Sequence, residues 1–378
     1  MISPRITTDD RRIVYIIFNS IPPYASEANN VLALPEGMPY RARFRQEWHP
    51  DINNPRDIEQ REGVLVLRDW DTGRLFPLRR IRIRKVDPVG DIYYIDYVLT
   101  NLIEYDSDEQ IRQNQIIDFN ERILLELRPY QNNPGEDLKK LVFMGSDLAA
   151  NISDAHPKGE MNQREFDNWG KIVSLIGTIS CYIDQDFLKI IRLSEEGGIQ
   201  PKFLSSGEIK RYSLNNARVY YLDVFQRSFT TKTGDSSVST RTIKLSAEAD
   251  AIKPIRDRFA VVGKYDMYRF RLKTQAPQRT RDTDLAVDID RSDKKGPVPT
   301  IYIPVRITTP ITTVIYWVVA AVIFLLGALL LFFGDTIFPK NAEMASKIGI
   351  FVMILAGPGT REAIMSLLEW LRVSFSKS

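Results

Sequence analysis

Residues 312–333 form an uncharged apolar run, and this run constrains the fold more than any other part of the chain. An α-helix rises about 1.5 Å per residue, so about 20 apolar residues cross a hydrocarbon core of about 30 Å. The alternative is a helix buried in a large soluble core, although such helices rarely lack a polar stripe over this length. Tyr316 and Trp317 lie near the start of the run, where aromatic rings favour the membrane interface. We therefore predict a transmembrane helix over residues 312–333.

A second apolar segment, residues 345–371, allows two interpretations. It either crosses the membrane with a kink at the Gly-Pro-Gly of residues 357–359, or it ends as an amphipathic helix at the interface, with Trp370 as a further interfacial ring. In the kinked crossing, Arg361 and Glu362 lie at membrane depth, where a charge costs at least about 2.5 kcal/mol. A homo-oligomer relieves this cost, because Arg361 of one subunit can pair with Glu362 of the next or both can line a wet path.

The composition of the whole chain is that of an ordinary globular protein. Charged residues make up 26% and hydrophobic residues 44% of 378 residues, and the net charge of +3 is too small to indicate polyanion binding by itself. The first apolar run, residues 13–18, is too short for a secretory signal, and the single Cys181 excludes an intramolecular disulfide. We expect a location at the cell (inner) membrane, with the N-terminal region cytoplasmic.

Residues 1–106 have the pattern of a β-rich module. Apolar runs at residues 63–68, 78–86 and 91–99 are joined by short turns that contain aspartate, proline and glycine. Three runs with two short turns predict an antiparallel meander.

The next segment, residues 107–200, is mixed and more helical. Residues 108–127 carry apolar side chains at helical spacing, and residues 162–191 predict two helices, with a strand as the alternative. Residues 201–308 form a second β-rich module with six candidate strands, at residues 218–225, 241–245, 258–262, 265–273, 285–289 and 300–307.

Together these patterns predict an α+β fold. Its cytoplasmic region is mainly antiparallel β, with two β-rich modules, including a β-sandwich, around the mixed or helical segment. Residues 309–378 complete the chain as a C-terminal transmembrane helical hairpin.

Three candidate strands place basic residues at every second position, so each set lines one face of a sheet. One interpretation is a solvated face with ion pairs between strands; the other is a basic surface for an anionic ligand. Arginine predominates, which suits bidentate phosphate contacts. The candidate anion-binding residues are Arg41, Arg43, Arg45, Arg80, Arg82, Arg84, Arg269, Arg271 and Lys273.

Signals for catalysis are poor. His49 and His156 are far apart and lack the spacing of metal ligands. The sequence contains no phosphate-binding loop, nucleophile elbow or zinc-protease motif. We therefore predict a protein that is not an enzyme and has no catalytic residue, metal site or cofactor, and we keep a hydrolase with an unrecognised active site as a less favoured alternative.

In domain order the chain resembles membrane effectors of prokaryotic antiviral defence, which join a cytoplasmic sensing module to a short membrane hairpin. The resemblance implies a non-enzymatic effector that senses an anionic ligand (nucleic acid, nucleotide signal or acidic lipid) or a partner protein. Its oligomerised hairpin would then form a pore in the lipid bilayer or perturb it. A membrane-tethered adaptor or scaffold, whose hairpin is only an anchor, is the alternative from a different class.

Overall fold

The computed structural model describes most of the chain up to residue 308 and a few positions beyond it. The described residues are 12–21, 24–45, 55–128, 140–151, 161–182, 185–197, 203–206, 209–215, 217–229, 241–247, 252–275, 281–291 and 300–308, with positions 322, 324–329, 332–333, 336, 347–348 and 350. The chain divides into two compact units, Met1–Gln275 with Asp282–Arg306, and Ala276–Arg281 with Ile307–Ser378.

The first unit begins with a six-stranded sheet. Its strands are β1 (Arg12–Asn19), β2 (Pro39–Arg45), β3 (Glu62–Arg68), β4 (Leu75–Val89), β5 (Ile92–Leu102) and β6 (Lys140–Ser146), in the order β2-β5-β4-β3-β1-β6. The antiparallel pairing of β3 with β4 and of β4 with β5 confirms the predicted meander. β1 lies parallel to β3 and is buried on both faces, as is typical of a strand in the interior of a covered sheet.

Three helices accompany this sheet: α1 (Ala25–Ala33), α2 (Glu109–Leu127) and α3 (Met161–Ile176). The structure confirms the predicted helix at residues 108–127. The carboxylate of Asp108 caps α2 by accepting the backbone N–H groups of Gln110 and Ile111, at 2.8 and 3.1 Å. The prediction of two helices over residues 162–191 is only half right, because α3 ends at Ile176 and a strand follows.

Two further sheets follow along the chain. Their strands are β7 (Asp186–Glu195), β8 (Phe203–Ser206), β9 (Ile209–Asn215), β10 (Val219–Ser228), β11 (Arg241–Ala247), β12 (Ile252–Arg256), β13 (Arg258–Val261), β14 (Tyr265–Thr274), β15 (Arg281–Arg291) and β16 (Thr300–Thr308). One sheet has the order β12-β14-β10-β7 and the other β13-β11-β15-β16-β9-β8. The ring of Phe259 contacts Tyr268 and Phe270 of the four-stranded sheet, at centroid distances of 5.5 and 5.1 Å. β13 of the second six-stranded sheet therefore packs against β14 of the four-stranded sheet.

The predicted α+β fold with a transmembrane helical hairpin is wrong. The described residues are mostly β-sheet, with sixteen strands and three α-helices of nine or more residues. Segments predicted as mixed or helical supply β6 and β7, which pair with strands far away in sequence. Among the described residues, no helix is both long enough and apolar enough to cross a membrane.

Several predicted membrane residues lie outside the described residues: Tyr316, Trp317, Arg361, Glu362 and Trp370. Around them the structure describes isolated helical positions, including residues 324–329. The domain boundaries derived from the sequence stay a prediction.

Candidate ligand-binding cleft

The structure confirms that the predicted basic side chains alternate with buried ones. On β2, the exposed Arg41, Arg43 and Arg45 flank the buried Ala42 and Phe44. The basic sets of β4 and β14 follow the same period of two. β2 and β4 belong to the first sheet and β14 to the four-stranded sheet, so the nine residues do not form one continuous surface.

Carboxylates neutralise much of this positive charge. At least five of the nine side chains lie close to an acidic partner: Arg41 to Asp96, Arg80 to Asp147, Arg82 to Glu62, Arg269 to Asp223 and Arg271 to Glu196. Most of these partners are far apart in sequence and meet only through the pairing of strands. Ion pairs between strands therefore account for much of the alternation.

Asp223 shows how tightly some of these pairs are built. It is buried and accepts hydrogen bonds from Arg192 and Arg269, both at 2.7 Å. Burial by itself would raise the pKa of Asp223, but the two guanidinium groups outweigh burial and lower the pKa below its usual value. This carboxylate is therefore ionised at neutral pH and holds both arginines in place.

Two of the predicted anion-binding residues, Arg41 and Arg84, line the same cleft, which has a volume of about 900 Å³. The first sheet and the end of α1 form one wall, and β9, β15 and β16 form the other. Pockets of 300–1,000 Å³ are typical of small-molecule sites, so the cleft is large enough for a nucleotide-sized ligand. It is the candidate functional site.

Positive charge exceeds negative charge in the lining of the cleft. The lining cations are Arg41, Arg84, Lys85 and Arg211, and the lining carboxylates are Asp96 and Asp284. Asp87 pairs with Lys85, and Asp282 pairs with both Arg211 and Arg306. When these neighbours are counted, the excess falls to one positive charge. A ligand with one or two phosphates fits this balance better than a long polyanion does.

The ion pairs also orient the cationic side chains. Arg41 donates to Asp96 from Nη2 at 2.7 Å, and its guanidinium lies 5.7 Å from the centre of the Tyr94 ring. The hydrogen bond to Asp96 is the main reason that the pKa of Arg41 is raised. A guanidinium fixed in this way loses little side-chain freedom when a ligand binds.

Tyrosines supply the aromatic part of the cleft. Tyr302 is 59% exposed, whereas Tyr40 and Tyr97 lie against each other with ring centroids 5.6 Å apart. Burial raises the pKa of Tyr40 and of Tyr97 above its usual range, so both stay neutral. Because Tyr302 is exposed, it offers an open ring face on which a base can stack.

The backbone is strained at one position of the lining. Gln60 adopts a φ of 63°, which is unfavourable for a residue with a side chain. Its backbone N–H donates to the Ile83 carbonyl at 2.8 Å and its side chain donates to the Arg84 carbonyl at 3.1 Å. These bonds hold the strained turn against β4 and fix the backbone that carries Arg84.

A buried arginine supports the wall formed by α1. Arg79 is fully buried and donates to the carbonyls of Val31 and Leu34, at 2.8 and 2.6 Å, and to the Thr100 carbonyl at 2.7 Å. Burial lowers the pKa of Arg79 to about 10, so the side chain is still charged at neutral pH. Arg79 thus satisfies carbonyls at the C-terminal end of α1 and joins this helix to β4 and β5.

A buried lysine lies near Arg79. Lys189 pairs with Glu165 at 2.6 Å, and burial lowers the pKa of its ammonium group to about 8. Its Nζ also lies 3.4 Å from the Leu32 carbonyl of α1. α1, α3 and β7 are thereby tied together behind the cleft.

Sequence reasoning missed much of the cleft. Lys85, Arg211 and Tyr302 come from three strands that are distant in sequence, and none belongs to a motif. The strand pattern at residues 300–307 predicted alternating faces, which places Tyr302 opposite the buried Ile301 and Ile303. No feature of the sequence indicated that the Tyr302 face of β16 would line the same cleft as β2.

Metal-ligating side chains do not cluster in the described part of the chain. His49 and His156 lie outside the described residues, and no group of three or more metal-ligating side chains occurs within them. Burial raises the pKa of the Cys181 thiol to about 12, which keeps it protonated and unreactive at neutral pH.

Comparison with known proteins gives no family for this chain. No family model and no curated protein matches it. One similar solved structure is the cupredoxin domain of amoB from Nitrosocaldus yellowstonii, which is 11% identical. The match covers 32% of this chain and 84% of that chain, with a TM-score of 0.15. A TM-score this low gives no guide to fold or function.

The interpretation as a pore-forming membrane effector of antiviral defence needs correction. It rested on a transmembrane hairpin and on domain order. The described residues, which are mostly β-sheet, contain no helix able to cross a membrane, and no comparison points to defence or pore formation.

Proposed function

We propose that this chain is a non-catalytic recognition protein that binds a small phosphate-bearing ligand of the nucleotide class in the cleft. The observation that carries the proposal is the lining itself, where Arg41, Arg84 and Arg211 surround a space of about 900 Å³ beside the exposed ring of Tyr302. Guanidinium groups suit phosphate oxygens, and an exposed tyrosine suits a base.

The charge balance narrows the class of ligand. Binding of nucleic acid relies on many phosphate contacts and is strongly salt-dependent. A cleft with an excess of one positive charge offers few such contacts. A mononucleotide or short oligonucleotide fits it better, and its affinity should depend only weakly on salt.

We expect Tyr302→Ala to lower the affinity for the nucleotide about tenfold, because stacking of one base on an aromatic ring contributes about 1–3 kcal/mol. Isothermal titration calorimetry with adenosine and guanosine mono- and dinucleotides measures this effect. Tyr302→Phe is the matched control, since it keeps the ring and should keep the affinity. Ribose 5-phosphate, which has no base, should bind equally to the parent chain and to Tyr302→Ala.

Two outcomes would exclude this ligand class. The first is that no nucleotide of the panel binds the full chain at millimolar concentration. The second is that a nucleotide binds with the same affinity to the parent chain, to Tyr302→Ala and to an Arg84→Gln, Arg211→Gln double variant.

We further propose, from the apolar run at residues 312–333, that the chain is located at the cell (inner) membrane with its β-rich region on the cytoplasmic side. Truncation after Thr309 should move the protein from the membrane fraction to the soluble fraction. Recovery of the full chain in the soluble fraction would contradict this location.

A further inference from the structure

A second pocket, of about 420 Å³, carries positive charge that carboxylates do not neutralise. It lies where the start of α2, the middle of α3 and the end of β10 meet. Arg112 comes from α2, Lys171 from α3 and Arg227 from β10, and Asp167 is the one carboxylate in the described lining.

Backbone carbonyls hold these three cations. Lys171 Nζ donates to the Tyr105 carbonyl at 2.9 Å, and Arg227 Nη1 donates to the Gly170 carbonyl at 2.8 Å. Arg112 Nη1 donates to the carbonyls of Asp106 and Ser107, at 3.0 and 3.3 Å. Neutral acceptors position a cation without cancelling its charge, whereas at least five of the nine predicted anion-binding residues have carboxylate partners.

The acidic side chains nearby compensate little of this charge. Glu109 lies 3.8 Å from Arg112, but its side chain is 80% exposed, so the pair is weak. Asp167 accepts a hydrogen bond from Gln163 at 2.9 Å. Within the described part of the chain, neither Lys171 nor Arg227 has a carboxylate within ion-pair distance.

Both guanidinium groups keep unused donors. The Nε atoms of Arg112 and Arg227 are buried and have no hydrogen-bond acceptor among the described residues. A buried donor without an acceptor costs about 1–3 kcal/mol, and an ordered water or ion is one partner that removes this cost. The guanidinium of Arg227 is also fixed by the rings of Phe229 and Tyr265, whose centres lie 4.8 and 5.5 Å away.

We infer that this pocket binds a phosphoryl group, as inorganic phosphate or as a phosphate monoester. Three cations from three different elements line one pocket. Charge-assisted hydrogen bonds from such groups to phosphate oxygens are strong. This site is separate from the cleft, and the inference does not depend on the nucleotide proposed there.

Titration calorimetry with inorganic phosphate and with an amide-capped phosphoserine tests the inference and separates the two sources. Preference for inorganic phosphate indicates a free anion, and preference for phosphoserine indicates a phosphorylated chain. Lys171→Gln and Arg227→Gln should each weaken binding about tenfold or more. Arg122→Gln is the matched control on α2, because Arg122 pairs with Asp118 on the exposed surface and should leave binding unchanged.

A second measurement uses the parent chain and does not depend on the folding of a variant. Bound phosphate should slow acetylation of Lys171 several-fold and leave the exposed Lys253 unaffected, as measured by mass spectrometry of the digested protein. The inference is overturned if neither probe binds at millimolar concentration. It is equally overturned if binding persists in both glutamine variants, or if phosphate protects the two lysines alike.

Discussion

Replacing Arg241 by methionine should destabilise the protein by about 3–5 kcal/mol. Asp186 is fully buried, and its Oδ1 accepts hydrogen bonds from Arg241 Nη1 and from Gln226 Nε2, both at 2.7 Å. Arg241 belongs to β11, in the second six-stranded sheet, whereas Asp186 belongs to β7 of the four-stranded sheet. The substitution removes a positive charge and a hydrogen-bond donor from a buried carboxylate at a contact between the two sheets.

Urea unfolding of the full chain measures this loss as a lower midpoint with an unchanged slope. Arg258→Met is the matched control on the neighbouring strand β13, because Arg258 is largely exposed and lies 3.7 Å from Asp257; it should cost less than about 1 kcal/mol. Adding Asp186→Asn to Arg241→Met should restore part of the stability, because the buried negative charge of Asp186 is then removed together with the positive charge of Arg241. Equal midpoints for Arg241→Met and Arg258→Met would show that the buried pair contributes little.

The second large effect is expected at Arg79, where Arg79→Met should also cost about 3–5 kcal/mol. The substitution removes donors from the buried carbonyls of Val31 and Leu34 and from the partly buried carbonyl of Thr100. The last turn of α1 contains no basic residue of its own, so no other side chain of this helix can replace Arg79.

The next residue on the same strand provides the control. Arg80 points to the other face of the sheet, is partly exposed and pairs with Asp147 at 3.0 Å. Arg80→Met should therefore cost about 1 kcal/mol or less. If Arg79→Met costs no more than Arg80→Met in the same urea experiment, the cap on α1 is not important for stability.

Local patterns in the sequence predicted local structure well. Apolar spacing located α2, short turns located the β3-β4-β5 meander, and alternation placed Arg41, Arg43 and Arg45 on one face. These features depend on residues within a few positions of each other. The register of β2 against β5, which sets Arg41 opposite Asp96, was not visible in advance.

Long-range pairing explains most of the errors. Residues 186–195 have an apolar pattern that also suits a helix, and they become a strand because β10 pairs with them. Arg79, Arg80 and Arg82 look alike in sequence, yet the first is buried against α1 and the others face acidic partners. The cleft and the phosphate pocket both collect residues from several distant elements, so no local motif marks them.

Hydrogen–deuterium exchange with and without the tightest-binding nucleotide shows where the ligand contacts the full chain. We expect slower exchange in β2, in β4 near Arg84, in β9 and in β16 around Tyr302. We expect the same pattern in Lys171→Gln, whose substitution lies in the other pocket. Protection confined to segments outside the cleft, or an unchanged pattern in Tyr302→Ala at the same nucleotide concentration, would contradict nucleotide binding in the cleft.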